Sequence, residues 1–276
     1  MNRKDLIATI RAKASMLCVG LDPDLQKLPE GISRDAAGIL EFNKAIIDAT
    51  REYAVAYKPN LAFYEALGPK GWDVLARSLE YIGPNHFTIA DAKRGDIGNT
   101  SRMYASAFFE QLDFDSLTVA PYMGADSVQP FLSFREKWVV LLALTSNPGA
   151  GDFQLLEMAD EGEGQFLYEK VLLRACEWGS PENTMFVVGA TRPELLSRIR
   201  RLVPDHFLLV PGVGAQGGSL SEVCEYGLNR DVGLLVNASR SICYASAKGD
   251  FAEAARKSAR HMAFEMKEIL QKKSLL

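Results

Sequence analysis

Eight short runs rich in Val, Ile, Leu and Phe recur along the chain, at Met16–Asp22, Ala54–Asn60, His86–Lys93, Ser116–Met123, Lys137–Ser146, Met185–Thr191, His206–Val213 and Val232–Ser239. Continuous apolar character marks strands covered on both faces, as in a parallel sheet. Each run is followed by a helix-length amphipathic segment or by turn residues, which is the alternation of βα units. Ala36 to Tyr53 sets Ile39, Phe42, Ala45, Ile46, Ala49 and Tyr53 along one apolar stripe. Pro193 to Leu202 opens with a proline in its first turn and carries Leu195, Leu196, Ile199 and Leu202. Eight such units close into a (β/α)8 TIM barrel, an α/β fold whose usual size matches a chain of 276 residues. No Ser/Gly-rich linker or composition break divides residues 1–276, so a single domain is expected; a Rossmann-type open sheet is the other arrangement this alternation allows.

Charge and hydropathy narrow the function classes. Lys+Arg 31 against Asp+Glu 35 gives −4 with no block of like charge, which argues against a nucleic-acid partner. The longest strongly apolar stretch, Trp138 to Leu144, falls far short of the ~20 residues of a membrane helix. Asp5 and Arg11 bracket only Leu6 to Ile10, too short for a secretory apolar core of about 7 residues. Cys18, Cys176, Cys224 and Cys243 show no C-x-x-C spacing and read as reduced thiols of a cytoplasmic protein.

In a βα barrel, catalytic groups stand at the carboxyl ends of the strands. Those ends carry Asp22, Lys58 with Asn60, Asp91 with Lys93, Ser146, Pro211 to Gly218, and Arg240. Charged groups at the ends of apolar strands are costly to bury without partners, so their collection at one rim asks for a functional reason. Alternation along the third run puts Phe87, Ile89, Asp91 and Lys93 on one face, with Lys58 approaching from the neighbouring strand. Asp96 lies beyond the strand end, after Gly95. The same residues also fit a solvated rim ion pair with Asp96 capping the next helix, and spacing alone does not separate the two readings.

Val210 to Gly218 is glycine-rich and precedes a helix expected to start near Ser219. Such a loop lets backbone N–H groups approach an anion, and the loops after strands seven and eight are the usual phosphate site of this fold. Arg240 follows the eighth run with a guanidinium suited to phosphate. His86 and His206 stand at strand starts and His261 on the terminal helix, so none is placed as a base or metal ligand; no metal is expected. The widest gap between strands, Asn147 to Thr184, leaves Pro148 to Gln165 as a long loop ahead of a helix over Phe166–Trp178, either a lid or a plain surface excursion.

These motifs together resemble the orotidine 5′-monophosphate decarboxylase family, in its longer bacterial branch. The matching segments are Cys18-Val19-Gly20-Leu21-Asp22, Lys58-Pro59-Asn60, Asp91-Ala92-Lys93-Arg94-Gly95-Asp96, Thr145 to Ala150, Pro211 to Gly218, and Ser239-Arg240-Ser241. The D-x-K-x-x-D signature is shared with sister phosphosugar enzymes; Lys58, Ser146, Gln216 and Arg240 narrow it. The resemblance implies decarboxylation of a nucleotide substrate without metal or organic cofactor, by a network of Lys58, Asp91, Lys93 and Asp96. It further implies that Asp22, assisted by Lys58, binds ribose and that Ser146 recognises the pyrimidine. Asn60 and Pro211 would line the substrate, and Gln216 and Arg240 would hold the phosphate. In a homodimer with shared sites, Asp96 would reach the partner's site, with Ile97 and Thr100 beside it.

Three other readings share parts of this pattern. A magnesium-dependent keto-gulonate phosphate decarboxylase or a hexulose phosphate aldolase would keep the fold and the signature. A Schiff-base aldolase would use Lys93 as nucleophile. A non-catalytic phosphosugar-binding barrel would keep the phosphate loop but have no need of the lysine network.

Overall fold

The computed structural model describes residues 1–158, 165–190, 193–213 and 218–276. Every apolar run carries a strand, which exceeds the run by one residue where β3 runs on to Arg94 and β6 begins at Thr184: β1 (Leu17–Leu21), β2 (Ala54–Pro59), β3 (Phe87–Arg94), β4 (Ser116–Val119), β5 (Trp138–Leu144), β6 (Thr184–Val188), β7 (Phe207–Pro211) and β8 (Leu234–Ala238). All pair in parallel and in chain order, and β1 pairs β8 through Leu17↔Val236, which closes the barrel and rules out the open sheet. β4 stops at Val119, short of the expected Met123, and Pro121 follows in a turn because it has no N–H for a ladder.

Helices cover the outside. Ala36–Thr50 is capped by the Asp35 carboxylate, which accepts from Gly38 N, and ends before Tyr53; the helix Leu167–Trp178 begins one residue after the expected Phe166, which caps it, and Pro193–Leu202 has the expected bounds. Strand residues are buried on both faces, as their unbroken apolar sequence requires. No helix among the described residues is long and apolar enough to cross a membrane.

The amino end of the barrel is plugged. Phe87, Trp138 and Phe207, from three strand starts, meet edge to face at centroid distances of 5.7 and 6.2 Å. The Trp138 indole donates to Met1 O at 3.1 Å, and the Arg3 guanidinium lies 5.2 Å from the Phe207 ring centre. His86 and His206 pack at this end as buried rings; burial, followed by the neighbouring Arg3 and Arg200 cations, holds His206 down to about 4. The charged strand residues Lys58, Asp91 and Lys93 stand at the opposite, carboxyl ends of β2 and β3.

The long fifth loop carries local structure of its own. Ala150–Phe153 forms one helical turn, Glu157 bridges Phe166, and the Gln154 amide ties back to the strand end, with Oε1 accepting from Thr145 N at 2.7 Å. Residues 159–164, the acidic glycine-broken stretch, lie outside the described residues. All four cysteines are free thiols, and burial pushes Cys18 up to about 12, where it remains protonated.

Candidate active site

Lys58 is the penultimate residue of β2, inside the barrel wall and 5% exposed. Its Nζ donates to Asp91 Oδ2 at 2.7 Å, and Lys93 Nζ donates to the other oxygen, Oδ1, at 2.6 Å. One carboxylate thus bridges two ammonium groups. Burial alone would lower Lys58, yet Asp91 and Asp22 outweigh it and hold its pKa above the ordinary lysine value. Burial would likewise raise Asp91, but Lys58 and Lys93 prevail and bring it to about 2. The side chains of Lys58 and Asp91 are 6% and 11% exposed, whereas that of Lys93 is 50% exposed and opens toward solvent.

Asp91 and Lys93 do meet, although not by strand alternation. The β3–β4 ladder runs Ile89↔Ser116 and Ala90↔Leu117, then resumes only at Arg94↔Val119, so residues 91–93 bulge out of register. Lys93 takes φ +49°, the left-handed region, at a cost of about 1–2 kcal/mol for a residue with a Cβ. The expected extended geometry is replaced by a strained turn that folds the lysine back over the preceding carboxylate.

Two adjoining cavities share Lys58, Asp91 and Pro211. One, of about 340 Å³, is lined by Asp22, Asn60, Asn237 and Arg240; the other, of about 240 Å³, by Lys93, Leu142, Ser146, Val187 and Leu209. The pair suits a ligand with an anionic end at Arg240, hydroxyls near Asp22 and a flat ring between the apolar walls. Asp22 Oδ1 is buried with no donor among the described residues, an acceptor left for a ligand. A larger cavity of about 680 Å³ lies around Glu80, His86, Asp115 and Lys137, at the amino ends of the strands, away from the lysine pair.

Local sequence explains how the rim is held. Asn60 caps the helix Leu61–Glu65 through Oδ1 and bridges Asp91, fixing the end of β2 against the bulge. Gly20 has no Cβ because one would collide with Ser239 Oγ, which stands next to Arg240. Tyr244 donates to Asp22 O and accepts from Asp24 N, both at 2.7 Å, clamping the loop after β1 to the segment after β8.

The site thus joins a lysine–aspartate–lysine array to an arginine-ended pocket at the carboxyl face of a closed eight-stranded barrel. Residues 15–257 match the family model described as orotidine 5′-phosphate decarboxylase / HUMPS family. The chain belongs to that family. A relative named orotidine 5′-phosphate decarboxylase from Bacteroides fragilis (strain YCH46) is 56% identical over 274 residues, covering 98% of this chain and 99% of its own. Another of that name from Flavobacterium johnsoniae is 57% identical, covering 99% and 100%. The solved OMP decarboxylase of Leishmania donovani superposes with TM-score 0.85 at 39% identity, covering 98% of each chain.

Against the decarboxylase family pattern, not every expected residue is gathered into the array. Asp96 joins no ion pair among the described residues: its Oδ1 accepts from Ile97 N at 2.7 Å and its carbonyl from the Ser101 hydroxyl. Nor does it cap the next helix, Gly98–Ser106, where Ile97 occupies the cap position without a side-chain bond. Ile97 is 57% exposed and Thr100 is exposed beside it, while Asp96 is half-buried. Gln216 lies outside the described residues, as do Gly214, Ala215 and Gly217. The helix after the glycine run starts at Leu220 with Ser219 as its cap. Thr118, Asn237 and Tyr244 were not legible as site residues, because Thr in a β-run and Tyr after a strand are ordinary packing choices.

Proposed function

We propose that the chain decarboxylates orotidine 5′-monophosphate to UMP and CO2, the last step of de novo pyrimidine nucleotide synthesis. The Lys58–Asp91–Lys93 array facing a pocket that ends in Arg240 carries this reading. The C6–carboxylate bond breaks heterolytically and its electron pair stays on C6, in the ring plane, where it cannot delocalise like an enolate. Lys93 stabilises that localised charge and gives its Nζ proton to C6. Asp91 beside the substrate carboxylate disfavours the ground state relative to the transition state, while Lys58 keeps Asp91 ionised. Ser146 addresses the pyrimidine, Asp22 the ribose, with Asn60 and Pro211 lining the pocket, and Gln216 and Arg240 the phosphate. Phosphate binding remote from the breaking bond helps to close the loops over it.

The second half of the proposal is a homodimer with shared sites. Asp96, with Ile97 and Thr100, enters the partner's cavity, and the exposed apolar side chains Ile97 and Met103 give the contact its dry surface. The free thiols suit a cytoplasmic setting.

The test is loss of orotidine-monophosphate absorbance with purified, chelator-treated protein. Full activity is expected, since a lysine supplies both charge and proton. Activity that returns only with added Mg2+ would move the assignment to the sister phosphosugar decarboxylases, and borohydride trapping with a carbonyl substrate would reveal a Schiff-base aldolase instead.

Arg240 gives an independent check on ligand orientation. Arg240→Ala should weaken UMP by about 10- to 150-fold, the ~1.5–3 kcal/mol of a charge-assisted hydrogen bond, and leave uridine affinity unchanged. Equal loss for both ligands in calorimetric titrations would remove Arg240 as the phosphate anchor.

A further inference from the structure

Resting on that reading, we infer that the Thr118 hydroxyl is a positioning residue for the decarboxylation, holding both the bulged backbone of Lys93 and the carboxylate of Asp91. Thr118 sits in β4, 1% exposed, at the place where the β3–β4 ladder is interrupted. The bulge takes the Lys93 N–H out of the ladder, and a buried N–H without an acceptor is costly. Thr118 Oγ1 accepts that N–H at 2.8 Å. The hydroxyl's own proton is within reach of Asp91 Oδ1 at 3.2 Å and of Ala90 O at 3.3 Å. Bonding to the ionised carboxylate is the stronger choice. Asp91 Oδ1 then accepts from both Lys93 Nζ and Thr118, while Oδ2 accepts from Lys58.

A single buried hydroxyl therefore fastens both ends of the Asp91–Lys93 turn. No other described side chain donates to or accepts from the Lys93 main chain, so the left-handed conformation of the proton donor depends on this contact. Thr118 also borders the cavity assigned to the pyrimidine, but its hydroxyl proton is directed to Asp91 Oδ1 rather than to the ring. Its contribution is geometric: it keeps the Lys93 ammonium over C6, where a misplacement of about 1 Å costs about 100-fold in rate.

The experiment compares wild type, Thr118→Val, Thr118→Ser and Thr118→Ala for kcat, KM and UMP affinity. Valine keeps the shape and removes the oxygen. Its kcat should fall about 10- to 100-fold with UMP affinity within about twofold of wild type, because UMP reports the pocket without the reacting carboxylate. Thr118→Ser restores the hydroxyl and should recover most of kcat. A Thr118→Val kcat near wild type, a parallel loss of kcat and UMP affinity, or a serine variant as slow as valine would each overturn the role. Thr118→Ala gives the same readout if valine fails to fold, and failure of both to fold would make Thr118 a fold determinant rather than a positioning residue. Inactivity of the wild-type chain on orotidine 5′-monophosphate would instead reject the proposed reaction.

Discussion

Lys93→Ala is expected to lower kcat by about 10⁴-fold or more while the protein stays folded and still binds UMP. Two effects are lost together, the proton donor and the cation next to the developing carbanion, and each is ordinarily worth about 10² or more. Folding tolerates the change because half of the Lys93 side chain is exposed and Asp91 keeps Lys58 as a partner. One readout of stability should nevertheless move. Asp91 has a folded-state pKa of about 2, below its unfolded value of about 3.9, so its contribution is present above pH ~4 and is lost as pH falls through about 2. Without Lys93 the folded pKa rises and that contribution shrinks, so acid unfolding should begin at a higher pH than in wild type. A variant with near-normal kcat, or with an unchanged acid transition, would contradict the place given to Lys93 in the array.

Mixing inactive Lys93→Ala and Asp96→Ala subunits should restore activity. In a heterodimer whose Asp96 acts across the interface, one site collects both defects and the other has intact Lys93 and intact Asp96. Equal mixing makes about half of the dimers hybrid, so about one quarter of the sites should work, against almost none in either parent. Among the described residues Asp96 bonds to its own neighbours Ile97 and Ser101 and joins neither Lys93 nor Asp91 of its chain by a hydrogen bond or ion pair, which is the observation behind this expectation. No recovery, after mass spectrometry of tagged subunits confirms exchange, would reject the shared site and leave the decarboxylation itself untouched.

The barrel was legible in the chain because its information is local. Strands buried on both faces must be apolar throughout, and helices between them must carry one stripe, so Leu17–Leu21 through Leu234–Ala238 and the helix Pro193–Leu202 can be placed without knowing their neighbours. The same holds for residue type at strand ends: Lys58, Asp91 and Lys93 are conspicuous because charge is expensive there. What the chain does not encode locally is how those residues meet. Alternation suggested a flat Asp91–Lys93 face, whereas the fold joins them through a bulge, a left-handed Lys93 and a hydroxyl from the next strand. That geometry depends on the register between β3 and β4, set by packing around the whole closed barrel, and no window of sequence contains it. Thr118 illustrates the division: as a residue in a run it is an ordinary β-former, and its hydrogen bonds to positions 25 to 28 residues away exist only once the two strands lie side by side.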